Sequence, residues 1–490
     1  MALKNVTAVG IAAAGLLLAG AGHAAPIGDL RAAVKRADWP TVLKLAQPLA
    51  EQGEAEAEND LGDLYCGGNG VPPDYARAAV WYRKAAEQGF APAMVGLGQL
   101  AENGHGVAKD AAEAARWYRK AAYAGSGDGA LYLGLMHDDD GALTKDYAEA
   151  ARWYRLAFQH GEPIGANNLG LLYSYGEGVR KDAAESARWY RKAADGGDAD
   201  GAMNLAFAYE DGAGVPQDWG QAYAWMRKAA EHGKATAQNG LGYLYETGRG
   251  VTKDYKAAFA WYAEAADSNN LAAVDNLARM YRFGRGTKPD LEQALMLYRG
   301  AAAAGDADAQ YSLGDLYYRG RDVKQNYAEA LKWCRKAADQ NNADAETTLG
   351  VMYEDGKGVA ADAGAALHWY RKGAENGSSE AEYDLGLLYA AGKGVAQDFA
   401  QAAKWYRKAA DSDDPDGLAA LGRLYVDGKG VGRDAVAAYM YLSIALRSYA
   451  NDDENRAAAA ADLDTVAEKM TDAEIARARK KAADWKPVDA

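Results

Sequence analysis

The chain has 490 residues, of which 49% are apolar and 25% are charged, and it carries a net charge of −14. A chain of this length is too long for one compact core, so it forms either several domains or an array of repeats whose core grows lengthwise. The acidic balance argues against a protein that binds a nucleic-acid backbone through a basic face, and against an electrostatic hold on anionic lipid.

Residues 1–24 have the three parts of a secretory signal peptide. Lys4 gives the positive start, 6–21 form the apolar stretch, and 22–24 form a small-residue cleavage site. We therefore expect this segment to be removed and the mature chain to be exported, with the periplasm as its compartment. An uncleaved membrane anchor is the alternative, although the stretch is short and rich in alanine and glycine for a spanning helix.

Residues 25–53 predict a degenerate half-repeat that caps the N-terminal end of an array. Asp38 and Gly53 lie 36 residues before Asp74 and Gly89, which mark the start and the end of a helix in the first full repeat. The same two residue types at the same spacing predict one helix that covers this repeat.

A repeat of 36 residues runs eleven times through 54–449 without insertion or deletion. A Leu-Gly pair, first seen at Leu61 and Gly62, marks the units, and alanine replaces the glycine in two of them. Tryptophan keeps the same spacing at Trp81, Trp117, Trp153, Trp189, Trp225, Trp261, Trp333, Trp369 and Trp405. A fixed period of this kind is typical of repeat proteins, in which stacked units share one continuous core.

Each repeat predicts two antiparallel helices. In repeat one the first helix spans 54–67, with apolar residues at helical spacing, and the loop 68–71 supplies glycines where a helix end needs a positive φ. Asp74 caps the second helix and Gly89 ends it. Seven repeats place Glu or Gln three residues after the cap, which predicts a capping box at Glu113, Glu149, Glu185, Gln221, Gln293, Glu329 and Gln401.

The repeated tryptophan is predicted to be a wedge between neighbouring repeats, because so large a ring is unfavourable in water. Small residues at the positions of Ala57 and Gly62 would let the two helices approach closely. Repeat three departs from the pattern at 137–142, and repeat seven has Leu297 for the tryptophan and Thr287 for the loop valine. We expect these two repeats to form the softest junctions.

The pattern A-x-A-x-x-x-L-G-x-x-Y-x-x-G-x-G-V-x-x-D-x-x-x-A-x-x-W-Y-R-K-A-A-x-x-G is nearly complete at 165–197. It resembles the SEL-one-like repeat (SLR), a relative of the tetratricopeptide repeat, and the resemblance extends over 54–449. The resemblance implies an all-α fold, a right-handed α/α superhelical solenoid of eleven helix-turn-helix repeats, that serves as a scaffold or adaptor.

Residues 450–490 predict a C-terminal cap. The glycine pattern stops after repeat eleven, and 453–469 and 472–484 predict two polar-faced helices, the second opened by Thr471 with Glu474 three residues later. These helices would cover the apolar face of the last repeat.

No catalytic motif accompanies the repeats. The Gly-x-Gly loop lacks the Gly-Lys-Ser/Thr ending of a phosphate-binding loop, and no histidine pair has the spacing of metal ligands. Cys66 and Cys334 lie more than seven repeats apart, so we expect two free thiols. The His-Asp-Asp-Asp cluster at 137–140 is interpreted as a solvated acidic turn, with a metal site as the alternative. The sequence therefore predicts a protein that is not an enzyme and holds no cofactor.

An Arg-Lys pair recurs after the Trp-Tyr pair, for example at 83–84, 119–120 and 191–192. We interpret it as a solvated helix face. The alternative is a linear basic ladder that binds acidic glycans.

A partner should contact positions that vary while the scaffold repeats. On the first helix, the positions equivalent to 59 and 63 lie opposite the core side, and by similarity to tetratricopeptide repeats this face lines a concave groove. In repeats three to six these positions predict a partner-binding stripe of Leu131, Leu135, Asn167, Leu171, Met203, Phe207, Asn239 and Tyr243. Apolar contacts beside amide groups suit an extended peptide. The alternative is that these side chains pack between neighbouring helices.

The sequence thus predicts an exported scaffold that binds a protein or peptide partner in the groove. Two other functions remain open: binding of peptidoglycan or another cell-wall glycan, and β-lactam binding or hydrolysis. The latter is associated with cysteine-rich SLR proteins, whose cysteine pair in each repeat is missing from this chain. We expect no nucleic-acid partner and no membrane-spanning segment after signal cleavage.

Overall fold

The computed structural model describes residues 24–139, 143–449 and 454–487, and the regular secondary structure of these ranges is entirely α-helical. The predicted signal peptide lies outside them, except for its last residue. No helix in the described ranges is long and apolar enough to cross a membrane. The chain divides between Lys253 and Asp254 into two compact halves.

The N-terminal half contains thirteen described helices. They are α1 (Ala24–Lys35), α2 (Trp39–Glu51), α3 (Ala55–Gly67), α4 (Tyr75–Glu87), α5 (Ala91–Asn103), α6 (Ala111–Tyr123), α7 (Gly127–Asp138), α8 (Tyr147–Gln159), α9 (Pro163–Tyr175), α10 (Ala183–Asp195), α11 (Ala199–Asp211), α12 (Trp219–Glu231) and α13 (Ala235–Thr247).

The C-terminal half contains thirteen more in its described part. They are α14 (Tyr255–Asp267), α15 (Leu271–Phe283), α16 (Leu291–Ala303), α17 (Ala307–Arg319), α18 (Tyr327–Ala338), α19 (Ala343–Asp355), α20 (Ala363–Glu375), α21 (Ser379–Ala391), α22 (Phe399–Asp411), α23 (Pro415–Asp427), α24 (Ala435–Ser448), α25 (Glu454–Ala467) and α26 (Asp472–Asp484).

Ten of the predicted repeats each form a packed pair of helices, from α3·α4 to α11·α12 in the N-terminal half and from α15·α16 to α23·α24 in the C-terminal half. Repeat six contributes α13 to the first half and α14 to the second. The second helix of a pair begins at the predicted cap: in repeat two the Asp110 carboxylate accepts a hydrogen bond from the Glu113 N–H at 2.9 Å. The capping box predicted there is wrong. The Asp110 N–H instead donates to the Ala101 carbonyl of the first helix at 2.8 Å, and the Glu113 carboxylate accepts from the Trp117 ring N–H at 2.7 Å. The hydrogen bond from the Asp110 N–H to the first helix thus replaces the predicted bond to the Glu113 carboxylate.

The most deeply buried large side chain in many repeats is the tyrosine that follows the tryptophan. In repeat three Tyr154 is fully buried against Gly134, where an added Cβ would lie 2.6 Å from the ring atom Cδ1. The glycine of the Leu-Gly pair therefore makes room for this ring. Trp153 is also buried, and Trp189 meets Phe158 of the preceding repeat with 5.8 Å between ring centroids. This confirms the tryptophan as a contact between repeats.

The loop glycines have the predicted positive φ. Gly356 ends α19 with a φ of +70°. Gly358, with a φ of +73°, lies against the preceding repeat, where an added Cβ would be 2.7 Å from the Tyr327 carbonyl oxygen. The second glycine is therefore also a contact between repeats. Repeat eight has Asp322 at this position, and its carboxylate accepts a hydrogen bond from Arg282 of repeat seven at 2.7 Å.

The segment before repeat one contains two helices. Asp38 caps α2 by accepting a hydrogen bond from the Thr41 N–H at 3.4 Å, and Gly53 has a φ of +87°. Helix α2 therefore corresponds to the second helix of a repeat, and it packs on α3. Helix α1 precedes it and buries Leu30 and Ala33.

Helices α25 and α26 pack against α24, the last helix of repeat eleven. The Thr471 hydroxyl accepts a hydrogen bond from the Glu474 N–H, and the Glu474 carboxylate accepts one from the Thr471 N–H at 2.8 Å. This confirms the capping box predicted at α26. Arg447 of α24 also donates to the Ala482 carbonyl, which ties the last repeat to the final helix.

Candidate partner-binding surface

Several first helices of neighbouring repeats lie side by side in the N-terminal half. Helix α3 contacts α5, α5 contacts α7, and α9 contacts α11. The Asn204 amide on α11 donates to Oδ1 of Asn167 on α9 at 2.8 Å, which joins two of these helices directly. We name the solvent-facing side of α7, α9, α11 and α13 the first-helix surface, and its central row is Leu135, Leu171, Phe207 and Tyr243.

Six of the eight residues predicted to form the stripe are at least partly exposed on this surface. Tyr243 is the most exposed, at 39%, and the other five are Leu135, Leu171, Met203, Phe207 and Asn239. Leu131 and Asn167 are buried, with 7% and 4% of their surface exposed. They occupy the same repeat position as the partly exposed Met203 and Asn239, one turn before the central row, so burial at this position differs from one repeat to the next. The sequence alone does not separate these positions, because burial depends on the neighbour's side chains.

Three residues that sequence reasoning missed extend the surface. Tyr175 is 69% exposed and follows Leu171 by four residues, so the two share a helix face. The Arg249 guanidinium lies 4.6 Å from the ring centroid of Trp219 and 5.6 Å from that of Tyr243. The sequence could have indicated these residues, because they occupy positions at which the repeats differ from one another.

Polar side chains of the first helices bond the buried tyrosines beside this surface. The Tyr118 hydroxyl donates to the Glu102 carboxylate at 2.7 Å, and the Tyr154 hydroxyl donates to the Asp138 carboxylate at 2.7 Å. Burial raises the pKa of both phenols and of Asp138. Each pair gives a buried hydroxyl the acceptor that it needs.

Repeat five lacks such a pair, because Met226 takes the place of the tyrosine. Glu210 stands at the position of the acceptors Glu102, Asp138 and Glu354, and no described residue donates a hydrogen bond to its carboxylate. Burial, with the nearby negative charge of Asp211, raises the pKa of Glu210 to about 7, against the opposing effect of Arg249. The Glu210 side chain is only partly buried, so water reaches its carboxylate, and a basic group of a partner would meet no described side chain already bonded there.

The recurrent Arg-Lys pair lies on a solvated helix face, as interpreted from the sequence, and it also makes contacts within the chain. The lysine lies on the tryptophan three residues earlier, with 3.6 Å between the Lys192 nitrogen and the Trp189 ring centroid. The arginine donates to a tyrosine hydroxyl of the next repeat, as Arg407 does to Tyr425 at 2.8 Å. The same bond is made by Arg155, Arg191, Arg335 and Arg371. If the recurrent arginines and lysines bound acidic glycans, they would have to do so with side chains that already contact tryptophan rings and tyrosine hydroxyls of the chain.

Side chains that ligate metals or act as nucleophiles are scattered. In the described ranges no group of three or more His, Cys, Asp or Glu residues is arranged to hold a metal ion. Of the predicted acidic turn, Asp138 is bonded to a tyrosine and Asp140 lies outside the described residues. Cys66 and Cys334 are both free. Burial raises the pKa of the Cys334 thiol to about 12, which keeps it protonated and unreactive.

A family model described as Sel1 repeat matches eleven consecutive segments. They are 55–90, 91–126, 127–162, 163–198, 199–234, 235–270, 272–306, 307–342, 343–378, 379–414 and 415–448. A comparison with curated proteins gives no match.

Among solved structures, the chain is similar to c5321, a protective antigen present in uropathogenic Escherichia coli strains that displays an SLR fold. The two are 34% identical, the match covers 90% of this chain and 93% of c5321, and the TM-score is 0.62. A Sel1 repeat protein from Oxalobacter formigenes is 32% identical, with 63% of this chain and 89% of that chain covered and a TM-score of 0.47.

Sel1 repeats build solenoids that are generally non-catalytic scaffolds and that generally mediate protein interactions. The helices described above have the period of the matched segments, and each matched segment contains two of them. On this evidence, the chain belongs to the Sel1 repeat family.

Proposed function

We propose that the protein is an exported scaffold or adaptor that binds a protein or peptide partner along the groove lined by the first helices of repeats three to six. One observation carries the proposal. Leu135, Leu171, Phe207 and Tyr243 occupy one repeat position and are partly exposed apolar side chains, of which Leu135 also packs against the core.

The row has the chemistry of a surface for an extended polypeptide. Apolar and aromatic side chains supply most of the binding free energy at protein interfaces, and amides beside them bond a peptide backbone. Phe207 and Tyr243 are the largest members of the row. Asn239 adds a partly exposed amide on α13, the helix that carries Tyr243.

We infer export from the predicted signal peptide at 1–24. An exported scaffold would meet its binding partner in the cell envelope. An acidic net charge agrees with a soluble protein that avoids nucleic acid.

The test is site-specific photo-cross-linking in envelope extract. A benzoylphenylalanine replaces Tyr243 on the first-helix surface or, as the control, Tyr123, which ends the second helix of repeat two and is 74% exposed. We expect a distinct protein adduct from position 243 alone. The triple variant L171D/F207D/Y243D, checked for helicity by circular dichroism, should lose the partner.

Equal adducts from both positions, or none from 243, would overturn the proposal. Sedimentation with purified cell-wall sacculi by both the parent chain and the triple variant would favour a glycan ligand at another surface. Unfolding of the triple variant would show that the row belongs to the core.

A further inference from the structure

Glu210 is an exception within a rule of the repeat. Where the second helix has a buried tyrosine at the position of Tyr118, the first helix commonly has a polar residue that bonds it, as Glu102 does in repeat two and Glu354 does in repeat nine. The Tyr370 hydroxyl donates to Glu354 at 2.9 Å. The carboxylate in these repeats is therefore part of the scaffold.

Repeat five keeps the carboxylate and loses the tyrosine. Met226 is fully buried in the position of the ring, and a thioether has no proton to donate. Ala206 stands where most repeats have the glycine, although repeat seven combines an alanine, Ala278, with a buried tyrosine, Tyr298. In repeat five, no buried tyrosine hydroxyl therefore requires the Glu210 carboxylate as a hydrogen-bond acceptor.

The helix position of Phe207 and the charges of Asp211 and Arg249 define the setting of Glu210. Phe207 lies one helical turn before Glu210 on α11, and Arg249 acts on it electrostatically. Arg249 itself lies over the rings of Trp219 and Tyr243 and does not hydrogen-bond to Glu210 in this structure. Asp211 adds a second negative charge, so the local balance of Glu210, Asp211 and Arg249 is negative.

We propose that Glu210 binds a lysine or arginine side chain of the partner polypeptide, whose stem packs on Phe207 and Tyr243. The inference rests on the proposed function and adds the chemistry of the partner. An ammonium or guanidinium group supplies both the charge and the hydrogen-bond donors that the carboxylate lacks, and aromatic faces attract cations. The alternative is that Arg249 moves away from the Trp219 and Tyr243 rings in solution and forms an ion pair with Glu210.

The test begins with a random peptide library displayed on phage and selected on immobilised 25–490. We expect the selected peptides to be enriched in Lys or Arg beside apolar residues. The affinity of one such peptide, measured by fluorescence anisotropy, should fall about tenfold or more in Glu210→Gln. The matched control is Glu102→Gln, which removes the same charge at a position where a tyrosine already bonds the carboxylate; it should leave the affinity unchanged.

A peptide in which the basic residue is replaced by methionine completes a double-mutant cycle. If the two groups meet, this peptide should bind the parent chain and Glu210→Gln equally. The double variant Ala206→Gly, Met226→Tyr restores the pattern of the other repeats, and its phenol should weaken the basic peptide severalfold while the chain stays folded.

The outcomes separate the two proposals. If no peptide is selected, the proposed function and this inference both fall. If peptides are selected without basic enrichment, or if Glu210→Gln binds the basic peptide as the parent does, the inference alone is overturned. An affinity loss that is equal in Glu210→Gln and Glu102→Gln would assign the effect to net charge and would also overturn it.

Discussion

The N-terminal and C-terminal halves use the same scaffold and present different surfaces. The first helix position that carries Asn168 and Asn204 in repeats four and five carries Asp384 in repeat ten. Burial, together with Glu380, Glu354, Asp414 and Asp416, raises the pKa of Asp384 to about 7. The position of Phe207 and Tyr243 is taken in repeat ten by Leu387, which is 41% exposed and follows Asp384 by three residues.

The comparison indicates that one set of repeat positions holds the repeats together and that another set is available to contact a partner. The ring of Tyr370 in repeat nine lies on Gly350 as the ring of Tyr154 lies on Gly134 in repeat three, although the exposed residues around them differ. Because scaffold contacts are repeated and local, the exposed positions are free to vary without loss of the fold.

The largest effect should come from removing a scaffold ring. Tyr154→Ala deletes a fully buried side chain and its hydrogen bond to Asp138, so we expect a loss of about 3–5 kcal/mol in the free energy of unfolding. Urea denaturation followed by circular dichroism measures it. Tyr175→Ala is the control on the exposed side and should change stability by less than about 0.5 kcal/mol; equal losses would erase the division between scaffold and surface.

A smaller effect should follow from crowding the ring. In Gly134→Ala the new Cβ would lie 2.6 Å from the Tyr154 ring, so we expect a loss of about 1–3 kcal/mol. The same substitution at Gly300, in α16, meets nothing within 4 Å and should stabilise by about 0.5–1 kcal/mol through helix propensity. The opposite signs are checked in one denaturant series, and a neutral Gly134→Ala would contradict the assigned role of the glycine.

The two surfaces can be compared by introducing the same negative charge at equivalent positions in the two halves. Phe207→Asp should abolish cross-linking of the partner, because it places a charge in the proposed apolar row. Leu387→Asp makes the corresponding change in the C-terminal half and should leave the adduct unchanged. Loss of the adduct in both variants would show that the partner contacts both halves.

The smallest effect should be a pH dependence in the acidic region. The pKa of Asp384 is about 7 and that of Asp414 about 6 in the folded chain, above the ordinary value for aspartate, so the folded state binds more protons than the unfolded state. The stabilising contribution is full below pH 4 and is lost as the pH rises through 6 to 7. Asp384→Asn should therefore raise the melting temperature at pH 8 and leave it nearly unchanged at pH 5. The same shift at both values would contradict the titration.

Local patterns gave most of the fold, since the period, the caps and the loop glycines are set by neighbours in the chain. Asp110 caps its helix as predicted, and Gly356 has the expected φ. The capping box at Glu113 failed because the cap N–H found a closer acceptor across the loop. The eight residues of the predicted stripe lie on the first helices α7, α9, α11 and α13, and six of them are at least partly exposed. The sequence did not predict that Leu131 and Asn167 are buried.

The sequence by itself determined the number of repeats, the pairing of helices within each repeat and the positions that vary. These follow from periodicity and from backbone preferences, which act over a few residues. Only the tertiary structure decided that the tyrosine ring lies on the glycine, that the arginine bridges repeats and that Glu210 is left without a donor. Those relations join residues 16 to 20 positions apart on different helices, and they depend on packing distances that no local pattern contains.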